Sequence, residues 1–397
     1  MDTQVCVVGG GPAGLMLSLL LARQGVGVVL LEKHADFLRD FRGDTIHPST
    51  LDLLAQLGLE ERIQALPGRH ERAMTATFDD GTFAMADFTR LPKPHNYLMF
   101  LPQWDFLDLL AAEAATLPEF TLLRSTEAVD VLRDAAGTVV GVAASGPDGP
   151  VEIRAGLTVA CDGRFSVVRD RLGLVPREFG APMDVLWFRL PRTEADHTGL
   201  DIRVGSGALL LTIDRHDYFQ CAYVIPKGGY DQVRAEGLDR LRARIAALVP
   251  DLAGRAGELA DWDQVKLLTV RVNRLDRWHA PGVLCIGDAA HAMSPVGGVG
   301  VNLAVQDAVA TARLLGPKLK AGTLTTADLD LVRRRRRFPT VVTQRVQRVA
   351  QSRVIGTALR ADGPVNAPAA VRLLQHLPFL QGLTARMVGI GARPESL

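Results

Sequence analysis

Cysteine is scarce: Cys6, Cys161, Cys221 and Cys285 are the only four in 397 residues. None belongs to a C-x-x-C pair and each lies inside an apolar stretch, so neither a disulfide framework nor a zinc-ligand spacing is present. Buried, reduced thiols in a cytoplasmic protein are expected. Net charge is nearly absent too, with 45 Lys and Arg against 44 Asp and Glu, which argues against a nucleic-acid partner held by bulk electrostatics. No run approaches the ~20 apolar residues of a bilayer span. The apolar segment 15–22 does not read as a signal peptide either: a β-branched strand precedes it, Asp2 replaces a basic n-region, and no A-x-A-like site follows. Repeats and low-complexity tracts are missing. So are a Ser/His/Asp set, a metal-ligand cluster and a close pair of carboxylates; no catalytic side chain and no metal are assigned.

What is present begins at the N-terminus. Gln4-Val5-Cys6-Val7-Val8 runs into Gly9-Gly10-Gly11-Pro12-Ala13-Gly14 and then an apolar helix. Gly9, Gly11 and Gly14 have G-x-G-x-x-G spacing: the first for a tight turn, the second for close approach of a pyrophosphate, the third for helix–strand packing. The helix N-terminus offers unpaired N–H groups to phosphates. A second strand at 26–31 ends at Glu32, placed to bind a ribose hydroxyl, with Lys33 beside it as a further candidate cofactor contact.

The length allows two or three domains. Helices are expected at 50–57, after Pro48, at 60–65 and at 106–115. A hairpin over 75–88 turns at Asp80-Gly81, and short strands follow at 126–133, 139–144, 151–153 and 157–161. Long alternating strands come next (185–190, 200–204, 208–213 and 218–225), then a helix at 238–248, a strand at 266–272, a strand at 283–286 and a helix over 301–315. The pattern predicts an α/β (α+β) fold with a Rossmann-like domain built from 1–73, 101–180 and 276–330. A strand-rich substrate domain would comprise 74–100 and 181–275, and a helical region 331–397. The run of Arg333 to Arg337 falls in a helix, so its members point all round the axis; a solvated face packed against acidic neighbours is expected rather than a nucleic-acid site.

Two further segments sharpen the reading. One is Ala160-Cys161-Asp162-Gly163-Arg164-Phe165-Ser166. The other is Gly287-Asp288-Ala289-Ala290-His291, running on to Pro295-Val296-Gly297-Gly298-Val299-Gly300-Val301-Asn302. With the N-terminal triplet, in this order, they resemble the single-component FAD-dependent aromatic hydroxylases, the p-hydroxybenzoate hydroxylase-like family, over roughly residues 1 to 340. The resemblance implies that Gly9, Gly11, Pro12, Ala13 and Gly14 cradle the FAD pyrophosphate and that Glu32 binds the adenosine ribose. It further implies that Arg42 lies near the pyrophosphate, that Gln103 contacts the flavin side, and that Asp288 binds the ribityl chain. Asp162 is associated in this family with both FAD and the transient nicotinamide nucleotide, and His291 is usually structural.

The stretch from Pro295 to Asn302 also has its own logic. Glycines at Gly297, Gly298 and Gly300 let backbone lie against a flat ring, and the helix starting near Val301 presents its positive end to a reduced flavin carrying negative charge. His47 is read mainly as a polar cap. The trait set implies an FAD monooxygenase that uses NAD(P)H and O2 to hydroxylate an aromatic or polyketide-like small molecule through a flavin hydroperoxide, with 183–225 lining the pocket. An FAD oxidoreductase acting on a quinone or lipid without oxygen insertion is the alternative, and a flavin redox sensor a third. No W-x-W-x-I-P segment supports a halogenase. A single G-x-G-x-x-G means the nicotinamide nucleotide binds transiently, without a Rossmann domain of its own. Substrate identity, NADH against NADPH and oligomeric state stay open.

Overall fold

A computed structural model describes residues 1–38 and 45–397; Arg42 lies outside the described residues. The first strand, β1 (Asp2–Val8), leads through the glycine turn into α1 (Pro12–Arg23) and returns in β2 (Val28–Leu31). Pro48 opens α2 (Pro48–Gln56), as its fixed φ and missing N–H suit a first helical position. A hairpin, β3 (Ala73–Phe78) and β4 (Gly81–Asp87), precedes α3 (Gln103–Ala114). Next come β5 (Phe120–Leu123), β6 (Glu127–Arg133), β7 (Val139–Gly146), β8 (Gly149–Ala160) and α4 (Val167–Arg171).

The parallel core is ordered β5–β2–β1–β8, then the strand β14 (Val283–Cys285), all running the same way. β8 is one strand where the sequence suggests two. Its first part alternates more and less exposed residues and pairs antiparallel with β7; its last four residues are all buried and lie parallel to β1. The polar Glu152 and Arg154 of the half-exposed portion disguise that continuity. β5 has no counterpart in the sequence reading.

The second sheet is ordered β13–β9–β12–β11–β10–β3–β4, with β9 (Met183–Pro191), β10 (Leu200–Gly205), β11 (Ala208–Asp214), β12 (Tyr218–Pro226) and β13 (Lys266–Leu268). The strand expected at 266–272 stops at Leu268, because the buried Asp184 carboxylate takes the Val270 N–H at 2.8 Å while Lys227 Nζ donates to Val270 O. Alternation splits this sheet into two faces. Leu186, Phe188, Leu190, Leu210, Phe219, Cys221 and Tyr223 pack against α5 (Leu238–Leu248). Met183, Val185, Leu209, Ala222 and Val224 form a separate core with residues from the C-terminal part of the chain.

After β14 come two long helices, α6 (Val299–Lys320) and α7 (Thr326–Ala350). α7 runs unbroken through 330–331, where the sequence suggests a boundary. A π-turn, Gln351–Ile355, follows, and α8 (Pro378–Gly389) packs on β4 before the tail returns to α7. Among the described residues no helix is long and apolar enough to cross a membrane, and all four cysteines are unpaired.

One buried charge cluster ties these C-terminal pieces together. Asp307 on α6 accepts from Arg336 Nε at 2.9 Å through Oδ1, and from the Gly287 N–H at 3.1 Å through Oδ2, which also lies 2.6 Å from His291 Nε2. Arg336 reaches on to Glu395 Oε1 at 3.2 Å, and Arg335 and Arg313 bind the same carboxylate. Arg336 and Asp307 are fully buried. Burial would push the Asp307 carboxyl up, but His291 and Arg336 together hold it below the usual range.

Removing one member strands the other charges, so Asp307→Ala should cost ~3–5 kcal/mol in urea unfolding. Because the folded-state pKa is depressed, this stabilisation is complete above the ordinary carboxylate range of about 4 and is lost as pH falls below it. An Asp307→Asn protein should show a flatter loss of stability between about pH 4 and pH 2 than the parent.

Candidate active site

The geometry of the glycine turn separates three demands. Gly9 has φ +103°, and a Cβ there would stand 2.6 Å from Cys161 O; at Gly14 a Cβ would stand 2.0 Å from Gly9 O. Both positions are closed by the protein itself. At Gly11 a Cβ would meet nothing within 4 Å, so the open space beside it is available to a ligand. α1 starts from Gly11 with Pro12 in its first turn, no capping side chain and no acid there, leaving its N–H groups and positive end unopposed. Phosphates fit this place.

The three sequence motifs converge here. Gly9 abuts Asp162, and Gly287, at φ +58°, is wedged between Ala13 of α1 and Ala304 of α6. Glu32 is buried at the end of β2, with Oε2 accepting the Gly10 N–H and Oε1 the His34 N–H, both at 3.0 Å. Its carboxylate therefore sits at the turn, braced by backbone. Lys33 points into solvent, 3.7 Å from Glu127, and the structure does not bring it to the turn. Asp288 is 29 % exposed and meets Arg164 Nη2 at 3.3 Å, so its second oxygen is turned toward an open side. Asp162 Oδ2 accepts the Val168 N–H at 3.3 Å, closing the entry to α4, while its buried Oδ1 has no partner among the described residues. Burial drives the Asp162 carboxyl above its ordinary range, with Ser166 and nearby backbone N–H groups opposing.

The 292–298 segment is held by side chains that sequence reasoning missed. Gln344, Gln347 and Gln351 recur at helical spacing along α7 and its π-turn, and all three are buried. Gln344 Nε2 donates to Asn273 O and Ala292 O, at 2.7 and 3.2 Å. Gln347 Nε2 donates to Ser294 O and Val296 O, at 3.0 and 2.8 Å, and its Oε1 accepts the Ser294 N–H at 3.3 Å. Gln351 Nε2 reaches Ser294 Oγ at 2.5 Å. A ladder of amides thus fixes the backbone leading into Pro295.

Beyond it, Gly297 (φ +77°) and Gly298 (φ +63°) make the turn into α6, whose start again lacks a capping side chain and a first-turn acid. A Cβ on Gly298 would strike Thr45 Oγ1 at 2.7 Å, whereas one on Gly300 would meet only Met293 at 3.9 Å. Val301 is buried in the core beneath the turn. The Asn302 side chain faces away from the turn: its Oδ1 accepts from Ser49 Oγ, Thr50 Oγ1 and Gln306 Nε2 at 2.8, 2.9 and 3.2 Å, bracing α6 on α2. His47 is fully buried, with Nδ1 2.8 Å from Val388 O and Nε2 3.1 Å from Gly298 O. Burial lowers its pKa to about 4, against the two carbonyls, so the ring is neutral at pH 7 and donates to one of them. It is a strut between the C-terminal helix and the flavin-type loop. His291 is likewise enclosed, against Trp278 and Asp307, as its structural reading anticipates.

Two more elements close the cavity region. Gln103 opens α3 just after Pro102, and its side chain makes no hydrogen bond to another described residue. It follows the strand Leu98–Phe100, which pairs with Thr45–Ile46 under Gly298. From the second sheet, Val185, Trp187, Leu211, Ala222 and Val224 share one apolar cluster with Val296 and Ile355. The 183–225 block thus meets the glycine loop through alternate residues only; the intervening ones point to α5.

The chain is similar to several flavoprotein monooxygenases. Residues 2–346 match the model of the FAD binding domain family. The 6-methylpretetramide 4-monooxygenase of Streptomyces rimosus is 36% identical over 388 residues, 97% of this chain and 92% of that protein. The 12-dehydrotetracycline 5-monooxygenase/anhydrotetracycline 6-monooxygenase of S. rimosus is 30% identical over 85% of this chain and 67% of its own length. In fold, the p-nitrophenol 4-monooxygenase of Pseudomonas putida superposes with a TM-score of 0.77 at 22% identity, covering 98% of this chain and 97% of that one. Two glycine turns at uncapped helix starts, meeting at Gly287, fit a bound FAD, and the chain belongs to the FAD binding domain family as an FAD-dependent monooxygenase.

Proposed function

We propose that the substrate is a multi-ring aromatic polyketide, hydroxylated on a ring laid between the second sheet and the Pro295–Gly298 turn. The observation that carries this is the apolar face on which half-buried Trp187 and Leu211 of the second sheet share one cluster with half-buried Val296 of the glycine turn. Such a face suits a broad, flat, poorly charged molecule, and the match to 6-methylpretetramide 4-monooxygenase along nearly the whole chain supports it. Bound FAD supplies the redox chemistry with NAD(P)H and oxygen. The chain's part is to hold and shield. Gly11 and the α1 N–H groups receive the pyrophosphate, Glu32 the ribose and Asp288 the ribityl chain, while the uncapped start of α6 favours negative charge on the ring. The apolar sheet face keeps water away from the reacting atoms. His47, neutral and occupied by carbonyls, positions the loop and transfers no proton.

The activity test is NAD(P)H consumption under oxygen-18 gas with an anthracyclic or tetracyclic phenol. Labelled hydroxyl in the product is expected; substrate-dependent NAD(P)H oxidation with no label in the product would favour the oxidoreductase without oxygen insertion. Asp288→Ala removes charge-assisted hydrogen bonds of ~1.5–3 kcal/mol and should weaken FAD binding about tenfold to a hundredfold in a fluorescence titration. Gly11 and Gly14 should respond differently. Gly11→Val should leave the melting temperature of the apoprotein unchanged and weaken FAD by a similar factor, because the added methyls enter open space that the pyrophosphate needs. Gly14→Val should lower the apoprotein melting temperature itself.

A further inference from the structure

The arginine run on α7 divides at its last member. Arg333 and Arg334 pair with Asp330, Arg335 with Glu395, and Arg336 with Asp307 and Glu395. Arg337 instead belongs with Arg345 and Arg348 of the same helix, which gather beside Arg177 and Arg274. The last two are directly opposite each other in the two-stranded ladder Arg177–Glu178 and Asn273–Arg274. Guanidinium carbons of Arg177, Arg274 and Arg348 stand 5.5, 5.0 and 5.3 Å from the centre of one ring, that of Phe179.

What is unusual is the missing countercharge. Among the described residues, no carboxylate lies within ion-pair distance of Arg177, Arg274, Arg337, Arg345 or Arg348. Arg274 is only 8 % exposed; its Nη1 donates to the neutral Gln344 amide at 2.6 Å and its buried Nε has no acceptor. Glu178 is committed to Arg271 and Asn273, at 2.6 and 2.9 Å, and Asp276, beyond ion-pair distance, offsets only part of the positive field of the surrounding arginines at Arg274. Burial and then Arg337, Arg177 and Arg345 press the Arg274 pKa down. By contrast, the side chain of Arg336 has Asp307 and that of Arg192 has Asp214. A buried guanidinium without a carboxylate is costly to keep, and neighbouring guanidinium forks match the oxygens of a phosphate.

We infer that this cluster is a docking site for the phosphates of the reduced nicotinamide dinucleotide that the reaction consumes. The inference rests on the monooxygenase reading for the identity of its ligand. The cluster adjoins Arg271, which lies over the ring of Phe165 at 5.6 Å; Phe165 is 66 % exposed and follows Arg164, the partner of Asp288. It therefore borders the flavin site from outside, where a nucleotide without a domain of its own can arrive, deliver its hydride and leave. The cationic excess also speeds its encounter with a polyanion at low salt.

The double variant Arg177→Gln/Arg348→Gln changes two surface side chains and spares FAD contacts. In anaerobic stopped-flow reduction of the holoenzyme it should raise the apparent Kd for NADPH at least about tenfold, leave the limiting reduction rate within about twofold, and flatten the dependence of Kd on salt. Arg348→Lys should recover part of the loss. A larger effect on NADPH than on NADH assigns the ribose phosphate to the cluster; equal effects assign the pyrophosphate. Unchanged NADPH affinity and salt dependence in the double variant would overturn the inference, as would calorimetry in which inorganic phosphate binds the cluster without competing with NADP+. Calorimetry with NADP+ needs no turnover, so loss of its binding in the variant stands even for an enzyme that inserts no oxygen.

Discussion

The pair formed by Asp307 and Arg336 is the constraint around which the functional half of the molecule is arranged. Two full charges at zero exposure are tolerable only because they pair with each other and with further polar groups around them. Those partners come from four places: the Gly287 amide before Asp288, His291 on the following turn, Glu395 of the tail and the backbone of Arg393. Satisfying one buried carboxylate therefore sets the distance between the turn that carries Asp288 and the helix whose start faces the flavin. It also pins the chain terminus over both.

A second layer of polar contacts acts on the loop between those two anchors. The amides of Gln344 and Gln347 bind main-chain groups of residues 292–296, Gln351 adds the Ser294 hydroxyl, His47 abuts Gly298 from the opposite side, and Asn302 locks α6 to α2. Glycines at 297 and 298 make the loop conformationally permissive, so without such contacts its shape would be poorly defined. The molecule thus combines a flexible composition with a rigid frame, which is the arrangement a cofactor site needs if geometry rather than an acid–base residue is to govern the outcome.

Much of this was legible in the sequence. The β1–α1–β2 unit, the Gly287-Asp288 turn and the alternating strands 185–225 each carry a local signal: a glycine spacing, a strand ending in a motif, a period of two. The brackets were not legible, for a physical reason. Gln344, Gln347 and Gln351 lie in or just after a helix full of arginine, yet their partners are some fifty residues earlier: main-chain oxygens of Ala292 and Ser294 for the first two and the Ser294 hydroxyl for the third. Arg336 looked like one member of a surface run; its true partner, Asp307, is identifiable only once α6 and α7 are packed together. Lys33 follows Glu32 directly, but successive residues past a strand end point apart, and its side chain lies beside Glu127 in solvent. β8 was divided because its exposed half has a different residue pattern from its buried half, although one continuous strand serves both pairings.

The central claim is that the chain's own buried polar contacts preform the flavin loop before any cofactor arrives. Hydrogen–deuterium exchange on the FAD-free protein measures this directly. The Ala292 and Ser294 amides, bound to Asn273 Oδ1 and Gln347 Oε1, should already exchange as slowly as core amides of α6, and FAD should add little to their protection. Fast exchange at these amides in the FAD-free protein, becoming slow only when FAD binds, would show that the cofactor rather than the glutamine ladder builds the loop.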